Sequence, residues 1–224
     1  GSLSAHTGDE CIPAAAHRLG SKYSVQANMM CSEAVVPAMA KAFESSSGSL
    51  ARRLLAAMKA AELAGGDLRG KQSAAMKVVR IEAGGDPWKD ILVDIRVDDH
   101  ETPLKELGRL LDLSLAYDMS ARANNLLRQG NYERARALFD EAQALAPKKK
   151  EFLFWYALEL ALQNRFSDAM PIFRELFLCQ PHWRRVLRRL PGSSAIGMEK
   201  SKAQDLVDKI ESHCFQKGME TKQR

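Results

Sequence analysis

Apolar and polar residues alternate along residues 23–30, YSVQANMM. Tyr23, Val25, Ala27 and Met29 share one face and Ser24, Gln26 and Asn28 the other, the two-residue period of a half-buried strand. Residues 73–82 and 91–97 are β-branched or apolar at alternate positions, and Gly84-Gly85-Asp86-Pro87 between them is turn chemistry, so this pair predicts an antiparallel hairpin. Residues 3–11 read as the end of a strand running into a Gly-Asp turn. Elsewhere the composition is helical. Residues 32–44 and 49–63 each open on a serine suited to the N-cap, and Gly65-Gly66 stop the second, on which Leu50, Leu54, Ala57, Met58 and Ala61 form the expected buried stripe. Thr102 as cap and Pro103 at the first position start a third helix over 104–118, with Leu104, Leu107, Leu111 and Leu115 inward. Helices against an antiparallel sheet make this half α+β, with fewer strands than so much helix needs. The sheet reads as incomplete, and an open edge of apolar strands predicts pairing between chains.

The second half repeats itself. Gly130-Asn131-Tyr132-Glu133-Arg134-Ala135, then Phe139, Ala142 and Pro147, recurs 34 residues later as Asn164-Arg165-Phe166-Ser167-Asp168-Ala169, then Phe173, Leu176 and Pro181. Small alanines let paired helices approach, aromatics fill the groove between them, and a proline ends each unit. Over 116–149 and 150–183 the pattern resembles the tetratricopeptide repeat, a family of helix–turn–helix units, departing from it at Ala123, Ala157 and Leu176. Such arrays bury a continuous core with three or more units, so two are expected to lean on the helix before them and on residues 183–190 after them. Beyond a loop at 191–197, Ala203, Leu206, Val207, Ile210 and Cys214 make one stripe of a closing helix over 200–215. Residues 216–224 are polar and expected to fray. The expected organisation is an α+β domain over 1–115, two repeats with a following helix over 116–190, and a linker, closing helix and polar tail over 191–224.

Composition mainly excludes classes. With 46% hydrophobic and 27% charged residues among 224, the chain has the balance of a soluble globular protein. It holds no apolar run near the ~18 residues of a membrane span and opens on no secretory pattern, which predicts a cytoplasmic protein without a membrane partner. Cys11, Cys31, Cys179 and Cys214 are scattered without C-x-x-C spacing, favouring reduced thiols over a disulfide framework or zinc. The formal charge of +5 belongs to the second half: 14 basic and 15 acidic residues lie through Leu115, and 19 and 13 after it. Gly1 is not an initiator methionine, so the sequence reads as a fragment, a processed chain or one carrying Gly1-Ser2 as a cloning remnant.

Candidate chemistry gathers at residues 65–100. Arg69, Lys71, Gln72 and Ser73 precede the first hairpin strand and Asp98, Asp99 and His100 follow the second, so folding brings cations, a hydroxyl and carboxylates to one sheet end. The candidate catalytic residues are Asn28, Gln26, Lys71, Ser73, Asp98 and His100. Gln26 and Asn28, side-chain amides on one strand face, either donate to a developing oxyanion or satisfy a neighbouring strand. Asp98, Asp99 and His100 either bind a divalent ion or orient a base, or else Asp99 or Asp98 caps the turn into the next helix and His100 is a satisfied loop residue; adjacent strand residues face opposite ways, so the three do not easily converge. No metal or cofactor is expected. Gly70-Lys71-Gln72-Ser73 lacks the glycine spacing of a phosphate loop and precedes a strand, which rejects nucleotide binding. His6, Cys11, His17, His182 and His213 have no ligand or activating spacing. Trp183, Val186, Leu187 and Leu190 fall at helical core spacing with Arg184, Arg185, Arg188 and Arg189 outside them, so this run and Lys148, Lys149 and Lys150 read as a solvated face open to acidic protein segments, not a nucleic-acid surface.

His6-Thr7-Gly8 with Cys11, Tyr23-Ser24-Val25-Gln26-Ala27-Asn28-Met29, Gly65-Gly66-Asp67 with Gly70-Lys71-Gln72-Ser73-Ala74-Ala75, and Arg96-Val97-Asp98-Asp99-His100 together resemble one uncharacterised family, the domain-of-unknown-function group numbered one thousand and twenty-eight. Its members look like N-terminal-nucleophile (Ntn) hydrolases. The resemblance covers 3–117 and implies a four-layer αββα sandwich, here a partial one, followed by the all-α repeat module. It also implies an N-terminal segment ahead of His6 that carries the nucleophile, which this sequence lacks; Ser2 is a poor replacement because Gly1 precedes it. The expected function is an amidohydrolase acting, when full length, on a small amide or peptide-like substrate, with repeats for a protein partner or self-association. The alternative is a non-enzymatic scaffold using the repeat groove.

Overall fold

In the computed structural model the described residues are 2–82 and 84–215. The chain divides into two compact units, one ending at Asp112 and the next beginning at Leu113. In the first, β1 (Ala16–Gly20) turns through Ser21 and Lys22 into β2 (Tyr23–Ala27), with Ala16 opposite Ala27 and Gly20 opposite Tyr23. β1 was invisible to alternation because His17, Arg18 and Leu19 are exposed in succession. β2 ends short of residue 30, since Met29 takes a left-handed φ of 57° that leaves strand geometry. The strand end expected within 3–11 does not form. Residues 2–8 have no strand pairing, and only the Gly8 turn is made, closed by the Cys11 N–H donating to the Gly8 carbonyl at 3.2 Å.

α1 (Val35–Ser45) starts three residues beyond Ser32. That serine instead caps the lead-in turn, its Oγ accepting from the Ala34 N–H at 3.1 Å. α2 (Leu50–Leu63) has the expected cap, Ser49 Oγ accepting from the Arg52 N–H at 3.4 Å. Gly65 (φ 124°) and Gly66 (φ 66°) end it, the Gly66 N–H returning to the Ala61 carbonyl at 3.0 Å, a left-handed stop open to glycine at little cost. The buried residues of α2 are Ala51, Leu55 and Ala57, whereas Leu50 is 48% exposed. The stripe is therefore rotated from the expected one, because α2 carries apolar side chains on more than one face and packing selects among them. Val25, Val36 and Ala40 form a small core between β1–β2 and α1. Arg53 of α2 lies 4.0 Å over the Phe43 ring of α1 and donates twice to the Phe43 carbonyl.

β3 (Ala74–Val79) and β4 (Ile91–Val97) form the expected hairpin, Ala74 opposite Val97, with a register shift between Val78 and Val79. Met76, Val78, Val93 and Val97 are buried, while Lys77 and Asp94 pair across the outer face at 3.2 Å. The two hairpins remain separate two-stranded sheets; an isolated bridge joins Met30 to Asp67.

α3 (Pro103–Arg128) does not stop near residue 118 but runs 26 residues, so the division between units falls inside it. No glycine or proline interrupts residues 109–128, and its buried residues change from Leu107 and Leu111 to Ala116, Ala123 and Leu127, which join the second core. The second unit continues with α4 (Tyr132–Leu145), α5 (Glu151–Leu162), α6 (Phe166–Cys179), α7 (His182–Leu187) and α8 (Lys200–Phe215). This is the expected helix–turn–helix succession. Phe139 stacks on Tyr156 at 4.2 Å, and Phe154 packs on Trp183 at 4.9 Å and Phe173 at 6.0 Å. Ala203, Val207, Ile210 and Cys214 of α8 are buried as expected. Arg184 and Arg188 of α7 donate to Glu211 of α8 at 2.8 and 2.7 Å, so part of the basic run is engaged in internal pairing. The fraying expected at 216–224 lies outside the described residues.

Candidate functional site

Among the described residues, each unit has a cavity bordered by candidate side chains. In the repeat unit, residues 34 apart on α3 and α5 meet: the Tyr117 hydroxyl donates to Glu151 Oε2 at 2.8 Å, and Trp155 Nε1 donates to Glu151 Oε1 at 3.3 Å. Further along α3, Arg128 Nε donates to both Glu159 carboxylate oxygens at 3.1 Å and Nη2 to Oε2 at 2.9 Å. Glu159 is only 5% exposed, and a carboxylate so far from water is kept by direct donors. Its hydrogen bond also raises the pKa of Arg128. Gln163 Nε2 is a further donor at 3.4 Å.

These side chains border a cavity of about 480 Å³, with Asn124, Arg128 and Glu159 on its polar wall, Leu158 and Leu162 on its apolar wall, and residues 194–197 at its rim. Asn124 and Leu158, like Arg128 and Leu162, are repeat equivalents 34 apart. One repeat supplies hydrogen-bonding groups where the other supplies leucines. Asn124 Oδ1 is buried without a hydrogen-bond partner among the described residues, on a residue that also borders the cavity beside Trp155 and the apolar wall. Sequence reasoning singled out none of these groups. The period contained the signal, because aligning the repeats shows polar residues replacing leucine at two equivalent positions.

In the α+β unit, Lys71 and Ser73 line a cavity of about 700 Å³ whose apolar part includes Met30, Met39 and Met58. At its edge Arg69 donates to Asp67 through Nε at 3.0 Å, Nη2 at 2.7 Å and its backbone N–H at 2.8 Å, which holds the Asp67 carboxyl down to about 2. Lys71 Nζ is paired with Glu62. Backbone pairing brings the expected chain segments together, the His100 N–H donating to the Gln72 carbonyl at 2.9 Å. The side chains do not converge. His100 Nδ1 accepts from the Thr102 N–H at 3.0 Å, Asp98 pairs with Arg96 at 3.3 Å, and neither lines the cavity. Gln26 lines a different cleft, beside β3, and exposed Asn28 lies just past the end of β2. Among the described residues no group of three His, Cys, Asp or Glu is disposed to hold a metal ion, and all four cysteines are free.

Comparison with known proteins agrees with this division. The model of a family of unknown function (DUF1028) matches residues 1–107, and that of the tetratricopeptide repeat matches residues 120–178. No curated protein and no solved structure matches the chain. It therefore joins a domain of unknown function to a repeat of the kind that suggests protein interaction. Among the described residues no helix is long and apolar enough to cross a membrane.

Proposed function

We propose that the repeat unit binds an extended segment of a partner protein, or of a second copy of itself, in the cavity between α3 and α5. The orphaned Asn124 Oδ1 carries this reading. A buried acceptor without a donor costs about 1–3 kcal/mol, and rotation of the Asn124 amide toward a peptide N–H laid along the cavity removes that cost while half-buried Trp155 and Leu162 accept an apolar side chain. The Arg128–Glu159 pair keeps the polar wall rigid, so little ordering is left for binding to cost. The test is a random-peptide display selection against the whole protein, followed by affinity measurement. Enriched peptides that lose at least tenfold in affinity to Asn124→Leu support the reading; no enrichment, or affinities unchanged by that substitution, refutes it.

A second reading concerns the α+β unit, whose Lys71 and Ser73 share a cavity of about 700 Å³. With the resemblance to Ntn hydrolases, this supports a partial αββα sandwich that in full-length form hydrolyses a small amide or peptide-like substrate. Lys71 and Ser73 contact the substrate in that reading, Gln26 and Asn28 donate to an oxyanion, and Asp98 and His100 order the strand end. Hydrolysis of amide substrates by the full-length protein, lost with Ser73→Ala, tests it; turnover unaffected by that change removes Ser73 from the site. A cytoplasmic location belongs to the same proposal and is supported by the four free cysteines.

A further inference from the structure

The two sheets leave a vacancy between them that has the chemistry of a strand site. β2 is bonded only to β1 and β3 only to β4, so each has one edge whose backbone N–H and C=O groups lack ladder partners among the described residues. Lys22 of the turn, residues 23–26 of β2 and Ala75, Met76 and Lys77 of β3 line one cleft of about 470 Å³. Met39 and Phe43 of α1 and Leu54 and Met58 of α2 supply apolar surface to it. Isolated two-stranded hairpins are marginal in water, and unpaired edges are templates for another strand.

The chain itself carries a segment suited to this cleft. Residues 3–7 pair with no strand, and Leu3 is 42% exposed. Leu3, Ala5 and Thr7 fall on one side of an extended chain and Ser4 and His6 on the other. Five residues match the five of β2. Asp9 and Glu10 follow, without ion-pair partners among the described residues, and Lys22 at one end of the cleft is likewise unpaired. Setting the two carboxylates by Lys22 fixes the direction: the segment runs antiparallel to β2, with His6 opposite Ser24 and Leu3, Ala5 and Thr7 facing the helices.

We propose that two copies of this protein exchange residues 3–7, each inserting them between β2 and β3 of the other. Insertion fuses β1–β2 and β3–β4 into one five-stranded sheet. Each copy has one such segment and one such cleft, so reciprocal exchange closes at a dimer. The segment gives up its one side-chain hydrogen bond among the described residues, Thr7 Oγ1 with His17 Nδ1 at 2.7 Å, and gains ladder bonds on both sides.

Light scattering after gel filtration tests this on the intact chain. The expected mass is twice 24.9 kDa, returning to the monomer value with Ala5→Pro, which removes a ladder N–H, and with Leu3→Asp. Both sites lie outside any helix or strand of the single chain, so these variants are expected to keep the helical circular dichroism and cooperative unfolding of the parent while losing the strand signal of the inserted segments. With Cys11, Cys31 and Cys179 replaced by serine, mixing a His6→Cys chain with a Ser24→Cys chain under mild oxidation is expected to give a covalent heterodimer. A monomer at every concentration measured, a dimer that survives both substitutions, or absence of the cross-link overturns the proposal. A dimer lost instead with Asn124→Leu would also overturn it, assigning self-association to the repeat cavity.

Discussion

Arg128→Met is expected to destabilise the repeat unit by about 2 kcal/mol. Removing one partner of a fully buried ion pair costs about 3–5 kcal/mol. Here the Glu159 side chain is 6% exposed but that of Arg128 is 60% exposed, so water screens one side and the figure falls toward about 2 kcal/mol. The cost lies in stranding the carboxylate, for which, among the described residues, Gln163 Nε2 at 3.4 Å is the side-chain donor that remains. Replacing both partners, Arg128→Met with Glu159→Met, removes the stranded charge and is expected to recover most of the loss. Urea unfolding reads the difference. In a Trp88→Phe background the fluorescence reports Trp155 and Trp183 alone, both in the second unit, and with a slope near ~2 kcal/mol/M the single variant's midpoint falls by about 1 M. A single variant within ~0.5 kcal/mol of the parent, the ordinary range for a surface substitution, refutes the reasoning. So does a double variant less stable than the single.

Gly65→Ala is expected to cost about 1–2 kcal/mol in thermal or urea unfolding of the first unit, because φ is 124° and the added Cβ would stand 3.1 Å from that of Cys31; a neutral change contradicts the turn geometry. For Glu211, burial raises the pKa, but the Arg184 and Arg188 guanidiniums outweigh it and leave the group below its usual value. A carboxyl depressed in the folded state contributes stability above its unfolded pKa of about 4.3 and loses it as pH falls through the folded value. Unfolding midpoints of the second unit are thus expected to drop in acid below about pH 4, and Glu211→Gln to flatten that dependence; an equal acid drop in the variant removes Glu211 as its source. In the hydrolase reading, Asn28→Ala lowers amide turnover by the protein without unfolding it, and unchanged turnover excludes Asn28 as an oxyanion donor.

The elements legible in the sequence are those whose pattern is set locally. The 34-residue period, the stripe of α8, the α2 cap and the β3–β4 hairpin each follow from spacing, and each forms. β1 was hidden because its exposed His17, Arg18 and Leu19 carry no alternation, its pairing being set by β2 across the Ser21-Lys22 turn. The length of α3 was hidden because a change of buried face looks like a boundary when each face is read by itself. At the site, the backbone approach of Gln72 to His100 was legible, whereas the rotation of His100 toward Thr102 was decided by a hydrogen bond only two residues away. Asn124, Arg128, Trp155 and Glu159 converge through pairing of helices about thirty residues apart, and composition alone does not rank them above other polar residues on helices.

The most direct test of the repeat cavity as a binding site is photo-crosslinking in cells with benzoylphenylalanine in place of Trp155, at the cavity, or of Arg185, on the exposed face of α7. Mass spectrometry of the adducts is expected to find a defined protein segment joined at position 155, absent at 185 and lost when Asn124→Leu is added. Equal labelling at the two positions, or a cross-link at 155 indifferent to Asn124→Leu, would contradict a binding site built from α3 and α5.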